Sequence, residues 1–236
     1  MTGSAVERAV RPGEIEIAGE RAFCDRSGTL FFPDLDLLAV SDLHLEKGAA
    51  YARRGSLVPP YDTAATLERL AAVLEQHRPR RVVSLGDSFH DRLGSAHMPE
   101  PFRARLAGLM AGRDWVWVAG NHDPEAPVGI GGDTVATLAV GRVVFRHQPS
   151  ARAAAGEIAG HLHPCARIVQ RGRSVRRRCF ASDGMRLIMP AFGAYTGSLN
   201  VLDRAYHGLF VREALTAYLL GSRRIYAIAG QLLRPG

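Results

Sequence analysis

Apolar runs recur along the chain, and each one ends on a polar cluster. The first 35 or so residues break into short apolar stretches between turn signals. That pattern predicts short strands, with a hairpin turn at Gly28 in "DRSGTLFF". Leu37 to Val40 is wholly apolar, as in a strand buried on both faces, and it leads straight into Asp42. Leu67, Leu70, Val73 and Leu74 recur at helical spacing. They predict a helix from Asp62 or Thr63, either of which is a capping residue type, to about His77, where Pro79 stops it. Arg81 to Leu85 ("RVVSL") predicts a second buried strand, ending at Gly86-Asp87. Pro99 to Met110 predicts a helix, and Trp115 to Ala119 ("WVWVA") a strand ending at Gly120-Asn121-His122-Asp123. Val143 to Phe145 predicts a strand ending near His147. Ile158 and Ala159 lead into Gly160-His161-Leu162-His163. Beyond Asp203, Ala205 to Leu220 predicts a helix and Ile225 to Ala229 a last strand.

Strand, polar loop and helix thus alternate, which argues for an α/β fold with its chemistry at the strand ends. No repeat, linker or low-complexity segment interrupts the pattern, so a single domain over residues 1–236 is expected.

Composition narrows the class. The 236 residues, 47% of them apolar and 22% charged, can build a sizeable core. No apolar run is long enough for a membrane span, and the start MTGSAVERAV lacks the build of a signal peptide. The three cysteines are odd in number and lack metal-type spacing, which argues against a disulfide framework and for a cytoplasmic setting. The net charge is +7, from 29 Arg and a single Lys against 23 acids. Codon bias from a GC-rich genome accounts for much of that arginine use. The excess still favours an anionic partner, and guanidinium suits bidentate contact with phosphate.

The polar clusters carry the chemistry. In order they are Asp42-Leu-His44, Gly86-Asp87, Gly120-Asn-His-Asp123, His147 and Gly160-His-Leu-His163, and they hold five of the nine histidines. Carboxylate, imidazole and amide oxygen donors suit manganese, iron or zinc rather than thiophilic metals. The Asp-x-His and His-x-His pairs are expected to place both side chains on one face of an extended segment. Glycine before Asp87, Asn121 and His161 lets backbone turn and approach closely.

As a set, these five blocks resemble those of the calcineurin-like binuclear metallophosphoesterases. The resemblance implies an α/β (α+β) four-layer sandwich, two packed mixed β-sheets flanked by helices. It implies that Asp42, His44 and His163 hold one divalent metal ion, that Asn121, His147 and His161 hold a second, and that Asp87 bridges them. Two divalent cations against two carboxylates leave a positive centre that suits a phosphate ester. A metal-bridging hydroxide would be the nucleophile. His122 would serve the leaving group, with Asp123 accepting its other N–H.

Further stretches, "SDLHLEKGAAYARRG", "PPYDTAATLERL", "SLGDSFHD", "DWVWVAGNHDP", "GEIAGHLHP" and "PAFGAYTGSLNVLD", resemble a bacterial subfamily, the ligase-associated DNA damage response endonucleases (PdeM). That resemblance implies a metal-dependent, in the first place manganese-dependent, endonuclease or phosphodiesterase acting on single-stranded or flapped DNA, with RNA as an alternative. It implies a repair setting beside a ligase, a helicase and an exonuclease. Two other readings stand beside it: a small-molecule phosphodiesterase or phosphomonoesterase of the same fold, and a non-catalytic interaction module. The last is disfavoured because all seven ligand positions and His122 are filled.

Candidate substrate contacts are more diffuse. Arg167, Arg171, Arg173, Arg176, Arg177 and Arg178 crowd the stretch after His163, where a hairpin would place cations along a phosphodiester backbone. A solvated hairpin face explains them equally well. Arg53 and Arg54 follow the first motif. Tyr195 is a candidate for stacking on a base, whereas Phe192 reads as core. His90, three residues past Asp87, is a catalytic candidate that would reach the phosphate or leaving oxygen; its alternative is a surface histidine bonded to Asp91. Lys47, the only lysine, is a candidate phosphate contact, with chance as the competing explanation. His77, His97 and His207 are assigned no role.

Overall fold

Leu37, Leu38, Ala39 and Val40 are all fully buried, so both faces of this strand are covered. The computed structural model describes residues 13–56, 58–152 and 155–236. The reading of the N-terminal MTGSAVERAV segment lies outside them. Strands β1 (Glu14–Ile17), β2 (Glu20–Cys24), β3 (Leu30–Phe32) and β4 (Leu37–Val40) form an antiparallel meander. Strands β5 (Arg81–Leu85), β6 (Asp114–Val118) and β7 (Asp133–Val135) then add in parallel, completing a seven-stranded sheet in chain order. Helices α1 (Lys47–Arg53), α2 (Asp62–His77), α3 (Gly94–His97) and α4 (Glu100–Met110) form the crossovers from β4 to β5 and from β5 to β6.

The second sheet holds β8 (Thr137–Val140), β9 (Val143–Arg146), β10 (Glu157–Ala159), β11 (Pro164–Gln170), β12 (Arg173–Ser182), β13 (Arg186–Ile188), β14 (Leu199–Asn200), β15 (Thr216–Leu220) and β16 (Ile225–Ala229). Its order is β14-β11-β12-β13-β10-β9-β8, and β15 and β16 extend from β12. In it β10 lies parallel between β9 and β13.

The period of two sorts the side chains into layers. Leu37 and Ala39, with Val83, Leu85 and Val118, face Phe145, Ile158, Phe180 and Leu187 of the second sheet and form the inter-sheet core. Phe32 and Phe145 meet edge to face across it, 5.8 Å apart. Leu38, Val40, Val82, Trp115 and Trp117 point the other way, onto Leu67, Leu70 and Leu74 of α2 and Leu106 of α4. The two packed mixed sheets expected for the fold are present. The helices cover the first sheet, and the outer face of the second is covered by Val201, Tyr206, Leu215 and Leu233 from turns and irregular chain.

Two local expectations are corrected. No α-helix spans Ala205 to Leu220; a short 3-10 turn at Arg204–Tyr206 is followed by turns and then β15. Gly208, at φ +76°, breaks the run, and "TAYLL" alternates in burial as a strand does. Strand β15 is hydrogen-bonded on both edges, with Tyr218 opposite Phe180 and Ala227, so sheet pairing overrides the helix propensity of its Ala and Leu residues. Second, neither Asp62 nor Thr63 caps α2. Asp62 accepts the Gly48 N–H at 3.0 Å and Thr63 accepts the Glu46 N–H at 2.8 Å, so both tie α2 to the segment after the first motif.

Candidate metal centre

Asp42 follows β4, Asp87 follows β5, Asn121 follows β6, His147 follows β9 and His161 follows β10. The polar clusters therefore meet where strands of both sheets end. Backbone bonds zip their loops together: His44 N–H to the Asp87 carbonyl at 2.9 Å, and Gly160 N–H to the His147 carbonyl at 3.0 Å. The paired motifs are not extended segments, contrary to expectation. Asp42, His44, Asp87, His161 and His163 all have left-handed backbone, at φ +53°, +44°, +46°, +69° and +47°. Turns at alternate residues aim both side chains of each pair inward. Such conformations cost about 1–3 kcal/mol each for residues with a Cβ and persist where function needs them. Close approach explains the glycines: a Cβ on Gly160 would collide with Ser41 Oγ, and one on Gly120 with the backbone of Asp87.

Two groups of ligand-type atoms result, Asp42–His44–His163 and Asp87–His147–His161, each with its atoms within 4.8 Å of one another. In the first, His163 Nε2 lies 3.2 Å from Asp42 Oδ1. In the second, His147 Nε2 has Asn121 Oδ1 at 2.9 Å, His161 Nδ1 at 3.1 Å and Asp87 Oδ2 at 3.4 Å. Asp87 Oδ2 sits between the groups, 4.0 Å from His44 Nε2. The donor set fits divalent cations. His44 Nε2 is buried with no hydrogen-bond partner. Around His147 Nε2, lone pairs outnumber the protons available to satisfy them. His147 Nδ1–H donates to the Leu85 carbonyl at 2.9 Å, which turns the Nε2 lone pair toward the cluster.

The sequence model of the family described as calcineurin-like phosphoesterase matches residues 35–172, more than half of the chain, and spans all five clusters. The chain belongs to that family. Among solved structures, the chain is similar to the crystal structure of Pseudomonas putida nuclease MPE, with a TM-score of 0.72 and 26% identity, covering 92% of this chain and 100% of that one. A phosphoesterase from E. coli, Yfce, aligns at a TM-score of 0.40 and 16% identity, over 82% of this chain and 98% of that one. No curated protein matches the chain. Among the described residues, no helix is long and apolar enough to cross a membrane.

The electrostatics of this calcineurin-like centre follow from burial. Burial pushes His44 down to about 3, so it stays neutral with a free lone pair at neutral pH. Burial also opposes charge on Asp87 and His147, but without a cation their mutual hydrogen bond prevails, taking Asp87 down to about 2 and His147 up to about 9, so a bound cation would take the place of the His147 Nε2 proton and free that lone pair.

Asp123 departs from expectation. Its Oδ2 accepts the Ser88 and Phe89 N–H groups at 2.8 and 3.0 Å, its Oδ1 is buried without a partner, and burial raises it to about 7. It braces the loop after β5 and forms no bond to the His122 ring. His122 instead reaches toward Asp87, with its backbone N–H donating to Oδ1 at 2.9 Å and its ring Nε2 3.9 Å from Oδ2. His90 is neither a surface residue nor bonded to Asp91. It is buried, with Nδ1 3.3 Å from His44 Nδ1 and its ring stacked on His122, while Asp91 is held by Arg53 at 2.9 Å.

Arg171, Arg173, Arg176 and Arg177 are exposed on the β11–β12 hairpin, whose turn is Arg171-Gly172, and Arg177 donates to the Arg176 carbonyl at 3.0 Å. Arg176 and Arg178 donate to the Ser198 and Ala191 carbonyls at 2.7 Å each, and Arg167 donates to Ser174 and the Pro235 carbonyl. Arg176, Arg177 and Arg178 also line a cavity of about 480 Å³ with Arg26. Arg54 is exposed, 3.9 Å from Asp91. Lys47 is half-buried, its Nζ 5.9 Å from the centre of the Tyr51 ring, and burial lowers it. Tyr195 is exposed and Phe192 is fully buried.

Sequence reasoning missed the braces. Ser41 Oγ donates to Asp42, Gln148 Nε2 lies 3.4 Å from His161 Nε2, and the Phe192 and Gly193 N–H groups donate to the Ser41 and Asp42 carbonyls. Ser41, adjacent to Asp42, and Gln148, adjacent to His147, had a signal in position.

Proposed function

We propose that this calcineurin-like phosphoesterase is a metal-dependent phosphodiesterase that cleaves single-stranded or flapped DNA internally. The observation that carries the reading is the pair of adjacent ligand groups at the ends of strands from both sheets, with Asp87 Oδ2 of the second lying 4.0 Å from His44 Nε2 of the first. Asp42, His44 and His163 would hold one divalent ion, Asn121, His147 and His161 the other, and Asp87 both. Manganese is the first candidate, with iron and zinc as alternatives for the same donors. When bound, the two ions supply Lewis acidity toward the phosphoryl oxygens and an acidified water.

The chain's own residues do the rest. His147 holds its tautomer through Leu85, and Asp87 and Asn121 orient toward it. His122, 40% exposed, is placed to donate a proton to the departing oxygen. His90, beside both His44 and His122, would orient them. Lys47, Arg53, Arg54 and the exposed hairpin arginines would contact phosphates, and Tyr195 would stack on a base.

The likeness over nearly the whole chain to the Pseudomonas putida nuclease MPE supports a polynucleotide substrate. So do the +7 charge and the Arg-lined cavity. The repair setting beside a ligase, a helicase and an exonuclease, the cytoplasmic location and the single-domain organisation belong to the same reading, supported by the sequence resemblance.

The test is manganese-dependent cleavage of a circular single-stranded DNA, which has no ends. Wild type should linearise it, and Asn121→Ala and His122→Ala should not. An intact circle combined with hydrolysis of an aryl phosphodiester would move the substrate to small molecules. The combined substitution of Arg171, Arg173 and Arg177 by Gln separates the two readings further. It should weaken DNA cleavage and spare the aryl ester.

A further inference from the structure

With Asp123 turned to the Ser88 and Phe89 amides, the His122 ring is oriented by other rings. His44 meets it edge-on, with centroids 5.3 Å apart and planes at 79°. His90 lies flat against it at 5.2 Å and 21°. The other neighbour of His90 is Tyr51, also flat, at 5.6 Å and 19°. Tyr51, His90 and His122 thus form a column of three near-parallel rings, running from α1 to the centre.

The outer ring is well anchored. Arg53 clamps α1 to the His90 loop through Asp91, at 2.9 and 3.0 Å to its two carboxylate oxygens. Asp62 accepts the Gly48 N–H from the start of the same helix. His90 itself is 8% exposed, so it transmits position without moving far. Tyr51 is 36% exposed and lies outside every metal motif.

We propose that Tyr51 is a positioning residue. Its ring, acting through His90, holds the His122 imidazole in the plane from which it serves the leaving oxygen. Flat contact between rings restricts tilt and slide. Small errors in the placement of a proton donor are costly in rate. The inference rests on the reading of His122 given above.

The test compares Tyr51→Leu and Tyr51→Phe, each alone and with His122→Ala, in the manganese-loaded protein. Two substrates are used: single-stranded DNA, whose alkoxide leaving group needs a proton, and bis(p-nitrophenyl) phosphate, whose phenolate does not. Tyr51→Leu should lower kcat on DNA about tenfold with KM little changed, and His122→Ala should lower it by about a hundredfold or more. Both losses should be much smaller on the aryl ester. Tyr51→Phe should keep the DNA rate, since it keeps the ring. In the His122→Ala background, Tyr51→Leu should cost nothing more.

A second readout needs no turnover. In the metal-free protein, Tyr51→Leu should shift the His90 and His122 ring carbon and proton signals, and Tyr51→Phe should leave them in place. Equal losses on both substrates, or a full further loss on top of His122→Ala, would overturn the proposal. So would unmoved His122 signals. If His122→Ala lowers DNA cleavage and Tyr51→Leu does not, the proposal alone fails. If His122→Ala leaves DNA cleavage intact, the reading of His122 fails and the proposal with it.

Discussion

His44 Nε2 points at Asp87 Oδ2 from 4.0 Å, buried and without a hydrogen-bond partner. An orphaned imidazole lone pair beside a carboxylate is unfavourable in a dry interior unless a cation joins them. Manganese should therefore raise the melting temperature of the wild-type protein, following the linkage between binding and folding. In His44→Ala and Asp87→Asn the rise should be much smaller, because one group or both lose a ligand. Calorimetry with and without manganese, after treatment with a chelator, checks this. An equal rise in wild type and Asp87→Asn would show that the ions bind elsewhere.

Asp25 anchors the β2–β3 turn to the end of α2. Its carboxylate accepts the Ser27 N–H at 2.7 Å and the Gln76 amide at 3.0 Å, and lies 3.5 Å from His77. Burial opposes its charge, but the His77 and Ser27 bonds outweigh it and hold the carboxyl well below the ordinary carboxylate range. Because the folded-state value is depressed, the stabilisation is complete above about pH 4, the unfolded value, and fades as pH falls below it. Asp25→Asn should cost about 1–2 kcal/mol at pH 7. The gap to wild type should narrow at pH 3. Urea unfolding at the two pH values measures it, and an undiminished gap at pH 3 would contradict the linkage.

Arg69 should prove a structural clamp rather than a substrate contact. Its guanidinium donates to the Phe192 carbonyl and lies 4.5 Å from the centre of the Phe192 ring. The same loop bonds to Ser41 and Asp42 through its backbone. Arg69→Met should lower stability by about 1–3 kcal/mol, because it removes a charged hydrogen bond and a cation–π interaction together. It should also weaken manganese binding, since Asp42 loses its brace. Denaturant unfolding and a metal titration read the two effects. Normal stability would mean that Arg178, on the neighbouring Ala191 carbonyl, holds the loop alone.

The sequence showed the candidate ligands because most lie just past an apolar strand, where periodicity and residue type coincide. Strand β4 and helix α2 were legible for the same reason: Leu37 to Val40 is continuous, and Leu67, Leu70 and Leu74 keep a helical period. Strand β15 was hidden because Ala217, Leu219 and Leu220 suit either element, and its identity is decided by partners far away in the chain, at Cys179 to Ser182. The role of Asp123 was misread for a related reason. Adjacency to His122 suggested a bond, but the left-handed turn at Asp87 brings the Ser88 and Phe89 amides to its carboxylate instead. Ring stacking between Tyr51 and His90 joins segments with no common pattern, so no spacing rule could reveal it.

Tyr206 links the outer layer of the second sheet to the centre. Its buried hydroxyl donates to the Leu162 carbonyl at 2.9 Å, between His161 and His163. Both histidines have left-handed backbone, so the peptide between them needs support from outside. Tyr206→Phe removes the donor and little volume. It should cost about 1–2 kcal/mol, because the buried carbonyl is left unsatisfied. One histidine of each ligand group flanks that carbonyl, so affinity should fall at both metal positions. Titration of the metal-free protein with manganese, alongside urea unfolding, separates the two effects. Lower stability with unchanged affinity would mean that the left-handed turns hold themselves.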